Sequence, residues 1–507
     1  MVRSFGFTVG FCLGMVLCLA AMAADWPQFR GPGGSGLGDD APLPTQWAAD
    51  QNIRWKAILP GVGWSSPVIW GDKVFLTAAI TENQSKPQPS GGGGGRPGGG
   101  RPPADRPVGD ETDGDEPRAA GSQGDGANRP RPGADGDPAP NDGAGRRRGG
   151  RGPGGGGFGG RGGGQAPDVL YQFEVYCLDR NTGNVIWKQL ATERKPSIPT
   201  HRTNTYASET PVTDGQRVYA YFGMTGVFCY DLDGKLIWTK DFGSYPMAMG
   251  WGTGSSPVLA DRCLIMQCDN DKASFLVALD KLTGEEKWRV ARDDKSSWAT
   301  PNLWRNKVRT ELVTVSGQHA ISYDPIDGKV LWTLANMRGR CSATPVGDDE
   351  RVYLGTGGGM GGSGPLVAIR AGATGSFELA SGADQPEQIA WSVPRGGPPM
   401  ASPLVYRGYL YVLEQRGGLL SCYNAADGTK AYQQRVPDAK GFTASPWAND
   451  GKVFCLDEGG QTFVIKAGPD FELLAENKLD EMCWATPAAA NGALFLRGTD
   501  HLWCIKQ

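Results

Sequence analysis

The sequence predicts an all-β fold, an eight-bladed β-propeller of four-stranded antiparallel blades whose last blade is completed by a strand from the N-terminal end. Three observations predict it: a hairpin motif that recurs along the chain, a Ser/Thr-Pro dipeptide that recurs eight times, and a C-terminal stretch long enough for three strands but not four.

The hairpin is clearest in CLDRNTGNVIW (177–187) and ALDKLTGEEKW (278–288), with related copies at 229–238, 322–332 and 422–432. Gly183, Gly234, Gly284, Gly328 and Gly428 each stand four residues before a large aromatic: Trp187, Trp238, Trp288, Trp332 and Tyr432. Glycine supplies the positive φ of a tight reversal, and an Asp three or four positions earlier (Asp179, Asp231, Asp280, Asp324) can accept backbone N–H groups of the turn. The flanking segments alternate or run apolar, as strands do. A bulky aromatic at one repeated position fills the wedge between neighbouring blades. That assigns most of the 16 tryptophans to packing, each burial contributing about 2–3 kcal/mol.

The second signal is Pro67, Pro211, Pro257, Pro301, Pro345, Pro403, Pro446 and Pro487, every one preceded by Ser or Thr. After the first interval, which holds an insertion, consecutive prolines lie 41 to 58 residues apart, room for four short strands and their turns. Blade five is degenerate, because Gly375 has no aromatic at the usual spacing and Trp391 arrives after an insertion. Blade seven reads VIKAGPDFELLAEN where its hairpin belongs. The segment NIRWKAIL (52–59) carries Trp55 but precedes the first Ser/Thr-Pro unit, so it is expected to complete blade eight. A ring closed in this way leaves only short sheet edges.

Around the propeller (52–507) three segments differ. Residues 1–23, with Arg3, an apolar run and the small-residue site Ala21-Met22-Ala23, read as a secretory signal, and an exported mature protein has no other segment able to span a membrane. Residues 24–51 form an N-terminal extension. Residues 82–165 are a Gly/Arg/Pro-rich insertion inside blade one, expected to be disordered, and its balance of Asp and Glu with Arg argues against nucleic-acid binding. Cys177, Cys229, Cys422 and Cys504 share one repeat position, filled elsewhere by Ala278, Ser322, Ala368 and Val464, and read as buried free thiols; Cys263 and Cys268 could pair.

Signs of catalysis are sparse. Three histidines, His201, His319 and His501, fall in different blades and read as surface or turn residues; no zinc spacing, nucleophile elbow or acid/base pair stands out, so neither a catalytic nor a metal site is assigned. Loops joining the outer strand of one blade to the inner strand of the next converge at one end of the channel. They offer His201, Arg202, Asn204, Tyr206, Trp251, Trp298, Arg338, Arg340, Arg395 and Trp484, an aromatic and Arg-rich rim suited to a peptide or anionic ligand.

The repeat kept best at Ala278, Asp280, Thr283, Gly284 and Trp288 resembles the tryptophan-docking motif of the pyrroloquinoline-quinone (PQQ) repeat superfamily, over nearly all of 52–507 outside the insertion. DWPQFRGP (25–32) resembles the mature N-terminus of exported bacterial proteins with PQQ-like repeats. One branch of the superfamily holds PQQ and calcium and oxidises alcohols; another, similar to BamB of outer-membrane assembly, is a non-catalytic scaffold that engages proteins through its loops. The dehydrogenases' adjacent Cys-Cys pair has no counterpart here, and the lipoprotein signal usual in BamB is also missing. The resemblance therefore implies an exported, monomeric scaffold or binding module for envelope proteins or peptides, without a cofactor. A PQQ-dependent dehydrogenase with PQQ and calcium is the alternative.

Overall fold

A computed structural model describes residues 25–38, 41–89, 164–358, 362–380, 382 and 384–507. The chain divides into two compact units, 1–92 with 161–507 and 93–160; the second lies outside the described residues, as do the expected signal and most of the expected insertion. The first unit holds eight sheets, one per predicted blade. Within blade one the strands Val68–Trp70, Lys73–Ile80, Tyr171–Asp179 and Val185–Arg194 follow one another from the inside out, each antiparallel to the next. The last sheet is built from Ala488–Ala490, Ala493–Arg497 and His501–Ile505, and its outer strand is Ile53–Ile58. The N-terminal strand thus closes the ring.

Its closure uses the same chemistry as four other joints. A Cβ on Gly183, whose φ is +75°, would stand 2.6 Å from the Trp55 ring, and one on Gly284 (φ +74°) 2.6 Å from Trp238. Trp187, Trp288 and Trp391 cover Gly234, Gly328 and Gly428 in the same way. Each of these five aromatics lies on the turn glycine of the next blade, where only a residue without a side chain allows both the turn and the ring. The indoles also donate: Trp55 Nε1 to Arg180 O at 2.9 Å, Trp187 Nε1 to Leu232 O at 2.9 Å, Trp391 Nε1 to Ala425 O at 3.0 Å. Asp179 Oδ1 accepts Asn181 and Thr182 N–H, and Asp280 Oδ1 accepts that of Leu282, holding the turns in shape.

Across the hairpin every one of these aromatics faces a small residue: Trp187 opposite Cys177, Trp238 opposite Cys229, Trp288 opposite Ala278, Trp55 opposite Cys504. A β-bulge follows immediately in each case, turning the outer strand so that its ring leans on the neighbour. The repeated cysteines are buried and free, and burial pushes the thiols of Cys177, Cys229, Cys422 and Cys504 up to about 12. Cys263 and Cys268 are free too: they stand at opposite ends of one strand, where no bond can join them.

The two degenerate blades are repaired locally. Gly375 begins a short strand, Gly375–Glu378, that pairs parallel to the outer strand of blade four and lays Phe377 6.0 Å from Trp332. Trp332 is fully buried and donates to Glu311 Oε2 at 2.7 Å instead of covering a glycine. Trp391 then serves as the outer aromatic of blade five, opposite Ala368. In blade seven the aromatic position holds Ala475, opposite Val464. Trp47 of the extension donates its backbone N–H to Asn477 Oδ1 on that strand at 2.7 Å and shares its apolar cluster, bringing the missing bulk.

The Ser/Thr-Pro units form a belt around the channel. Ser66 N–H donates to Thr210 Oγ1, Thr210 N–H to Ser256 Oγ, and Ser256 N–H to Thr300 Oγ1, at 2.9 to 3.0 Å. Thr344, Ser402 and Ser445 continue it to Ser402, Ser445 and Thr486 at 3.0 Å. Two links are open, and the hydroxyls that would close them, Thr344 Oγ1 and Ser66 Oγ, are buried without a partner. The belt explains why only Ser or Thr precedes the proline.

Residues 26–38 run along the inner edges of the blades. Trp26 pairs with Ile69, Pro27 O accepts Thr213 N–H at 2.9 Å, and Gly38 N–H donates to Ala448 O at 2.8 Å. Arg30, wholly buried, donates to Gly34 O, Ser35 O, Ser402 O and Pro403 O. Among the described residues no carboxylate pairs with it, and burial brings its pKa down to about 9. The extension is therefore part of the core.

Replacing Trp288 with Ala removes the ring over Gly328 and should cost about 3–5 kcal/mol in a denaturant melt; an unchanged melt would contradict the docking role.

Candidate functional site: the loop face of the channel

In an antiparallel blade, the loop from an outer strand to the next inner strand and the turn between the second and third strands emerge on one face. The start of the insertion is there: Gln88 N–H donates to Arg202 O at 3.1 Å, and Lys86 pairs with Asp500 at 2.7 Å.

Four loops interlock on this face. Asn204 Nδ2 donates to Trp251 O at 2.8 Å and Thr253 O at 3.1 Å, and Trp298 Nε1 donates to Gly252 O at 2.7 Å. The Trp251 and Trp298 rings lie 5.4 Å apart, His201 stands edge-on to Trp251 at 6.2 Å, and the Arg340 guanidinium covers Trp251 at 4.4 Å. Arg340 also reaches exposed Met249. His201 Nδ1 is within 2.8 Å of Thr203 Oγ1, and burial with the nearby Arg202 lowers its pKa. His201, Asn204, Trp251, Trp298 and Arg340 thus form one ladder across the loops of blades one to four. Trp484 is elsewhere, stacked on Trp64 at 5.8 Å. Tyr206 turns down against Tyr171 and donates to Ile198 O at 3.0 Å, holding its loop together. Arg202 and Arg338 are exposed on loops that carry the ladder, whereas Arg395 is exposed on the connection from blade five to blade six, outside it.

Beneath the ladder is a charged cluster that sequence reading missed. Arg292, with a fully buried side chain, donates Nε to Asp269 Oδ1 at 2.7 Å and Nη1 to Thr314 Oγ1 and Tyr323 Oη at 2.8 and 2.7 Å, and pairs with Asp294 at 2.8 Å. Asp294 Oδ1 meets Ser316 Oγ at 2.5 Å and His319 Nδ1 at 2.9 Å. His319 is therefore tied to a buried carboxylate rather than being a plain turn residue. Glu209 is a second omission. It stands directly before the Ser/Thr-Pro pair, where the other seven units have Ser or Ala, and that exception was the available signal. Its side chain is buried, Oε1 has no hydrogen-bond partner, and burial pushes its pKa up to about 7 against the pull of Thr253 and nearby backbone N–H groups.

A quinone with calcium needs free oxygen ligands beside a flat ring. Among the described residues the one group with ligand atoms close enough for an ion is Glu481, Asp500 and His501. Its atoms are engaged: Glu481 accepts from Asp500 N, His501 N at 2.9 Å, His501 Nδ1 at 3.0 Å and Trp503 Nε1 at 3.0 Å, while Asp500 holds Lys86. The residues present there do not fit that group, and no reaction step is drawn through it.

The docking repeat, its eight blades and the loop-face geometry define the class: a β-propeller of PQQ-like repeats. Residues 172–376 and 370–468, more than half of the chain, match the family described as outer membrane protein assembly factor BamB. The chain belongs to that family. Among solved structures it is similar to quinohemoprotein alcohol dehydrogenase from Comamonas testosteroni (10% identity, TM-score 0.54, 95% of this chain and 80% of that one). It is also similar to a europium-containing methanol dehydrogenase (8%, 0.53, 94% and 90%). BamB from Moraxella catarrhalis is similar over 63% of this chain and 86% of its own, at 13% identity and a TM-score of 0.44. At these identities the likeness to the two dehydrogenases shows the fold alone. No curated protein matches the chain. No helix among the described residues is long and apolar enough to cross a membrane.

Glu209 yields a test. Its folded pKa, about 7, lies above the ordinary 4.5, so its contribution to stability is intact below pH 4.5 and is lost as the pH rises through 7. Glu209→Gln should gain about 2–3 kcal/mol over the parent at pH 8 and almost nothing at pH 4.5. Denaturant melts at the two pH values measure this; equal differences at both would refute it.

Proposed function

We propose that this protein is an exported, non-catalytic scaffold of the cell envelope that holds extended or incompletely folded envelope proteins on the loop face of its channel. The observation that carries the reading is the ladder of Trp251, Trp298, His201 and Arg340, four side chains from separate loops packed ring against ring and under a guanidinium, with Trp298 and Asn204 bonded to the backbone of the Trp251 loop. Rigid aromatic and Arg anchors lose little conformational freedom on binding. Residues 26–38 line the inner edges of the blades, which supports approach from the loop face. Membership of the assembly-factor family supports an unfolded or partly folded β-barrel chain as the partner class.

A photo-cross-linker in place of Trp251, introduced in producing cells, should form adducts with envelope β-barrel proteins or their assembly partners. The same group at Ile326, exposed in a turn between third and fourth strands, should form few. Arg340→Ala should reduce the adducts at 251 severalfold. Equal yields at 251 and 326 would count against the loop face. In parallel, the purified protein titrated with PQQ and calcium should show no saturable binding and no dye reduction with simple alcohols. Saturable binding with turnover would replace the scaffold by a dehydrogenase.

A further inference from the structure

A pocket of about 40 Å³ lies on the loop face between blades two and three. Aromatic rings of Tyr221, Phe242 and Phe275 form its walls, and exposed Gly243 is part of its rim, so it opens to solvent. Two of its lining side chains carry buried polar atoms with no partner: Gln267 Oε1 and Ser255 Oγ, on residues 2% and 7% exposed. Thr253 and Gly223, also in the lining, lie directly in front of the unpartnered Glu209 Oε1; a Cβ on Gly223 would be 2.8 Å from that oxygen and closer still to Thr253 Oγ1. Buried acceptors left open in this way are costly, typically 1–3 kcal/mol each, and a ligand that donates to them recovers the loss.

The charges around the pocket call for a cation. Asp269 and Asp294 share one guanidinium, that of Arg292, and Glu209 is in no salt bridge among the described residues. Arg289, which lies over the Phe275 ring at 4.2 Å, is already matched by Glu286 through two hydrogen bonds of 2.9 and 2.7 Å. A bare calcium or magnesium ion is a poor occupant, because it needs six or more oxygen ligands and much of the wall here is aromatic ring. A primary ammonium needs three acceptors, and the methylenes behind it suit an aromatic wall. The volume is compatible: at roughly 10–15 Å³ per water-sized group, the pocket takes an ammonium and the first carbons of its chain, and the rest of an alkyl stem can leave through the open rim.

We infer that this pocket binds the primary ammonium end of an alkylamine, with Gln267 and Ser255 as acceptors and Glu209 as the counter-charge. The inference goes beyond the scaffold reading and stands independently of it. The ammonium can belong to a free short amine or to a lysine side chain, and one experiment separates the two. The full-length protein is titrated calorimetrically at pH 8 with n-propylammonium chloride, with n-propanol and tetramethylammonium chloride as neutral and donor-free controls. Propylammonium should saturate at one site and the controls should not. Glu209→Gln should weaken binding at least about tenfold, as loss of a charge-assisted hydrogen bond implies, and Ser255→Ala several-fold. Glu350→Gln, on an exposed turn, should leave it unchanged. A short lysine peptide is then compared with its Nε-acetylated form: tighter binding than propylammonium, lost on acetylation, assigns the site to a lysine side chain, and no peptide binding assigns it to a free amine. Absence of a saturable signal with propylammonium, or an affinity unchanged in both folded variants, overturns the inference. Failure of the cross-linking experiment at Trp251 would leave it intact.

Discussion

Everything in this molecule depends on one contact, the seating of an indole from one blade on the bare turn of the next. A propeller blade is a twisted sheet whose edges diverge outward, and the gap between neighbours must be filled or the ring collapses into separate sheets. The turn glycine gives the ring a flat seat, the adjacent carbonyl satisfies the indole N–H, and the small residue across the hairpin lets the aromatic lie against its own sheet. Three demands from one joint explain why the motif repeats so faithfully and why a blade that loses it borrows bulk from elsewhere. Phe377 and Trp47 are those loans.

The legible part of the fold was local. Gly and aromatic four apart, Ser or Thr before proline, and a missing final strand are patterns within short windows, and the structure gives each a physical cause in the seat, the belt and the closure. The illegible part consists of pairings between residues distant in sequence. Arg30 finds two of its four acceptors 372 and 373 positions away, at Ser402 and Pro403, and no periodicity announces such a contact. Arg292, Asp269, Asp294 and His319 look like ordinary loop residues until blades three and four place them together. The loop-face candidates were half visible: convergence of the loops follows from topology, but which side chains share a ladder, and that Tyr206 turns inward, depends on loop geometry that strand patterns do not encode.

The two sides of the channel divide the work. One is lined by the N-terminal segment and by a guanidinium bound to four carbonyl oxygens, an arrangement suited to rigidity. The other collects unsatisfied acceptors, half-buried rings and the root of the long insertion. Polar groups left without partners cost stability, and Gln267, Ser255 and Glu209 on the loop face are three such groups that a binding surface would tolerate.

Closure by Ile53–Ile58 against His501–Ile505 has a kinetic meaning. The two strands are separated by nearly the whole chain, so the seam cannot form until the last strand is free to pair. The entropy of so long a loop rises only logarithmically and is a modest thermodynamic burden, but contacts this distant in sequence form slowly. Until then the rim of blade eight is an unpaired edge able to recruit any passing strand. A protein whose own maturation passes through an open β edge shares, for that interval, the hazard of the β-rich chains it is proposed to hold.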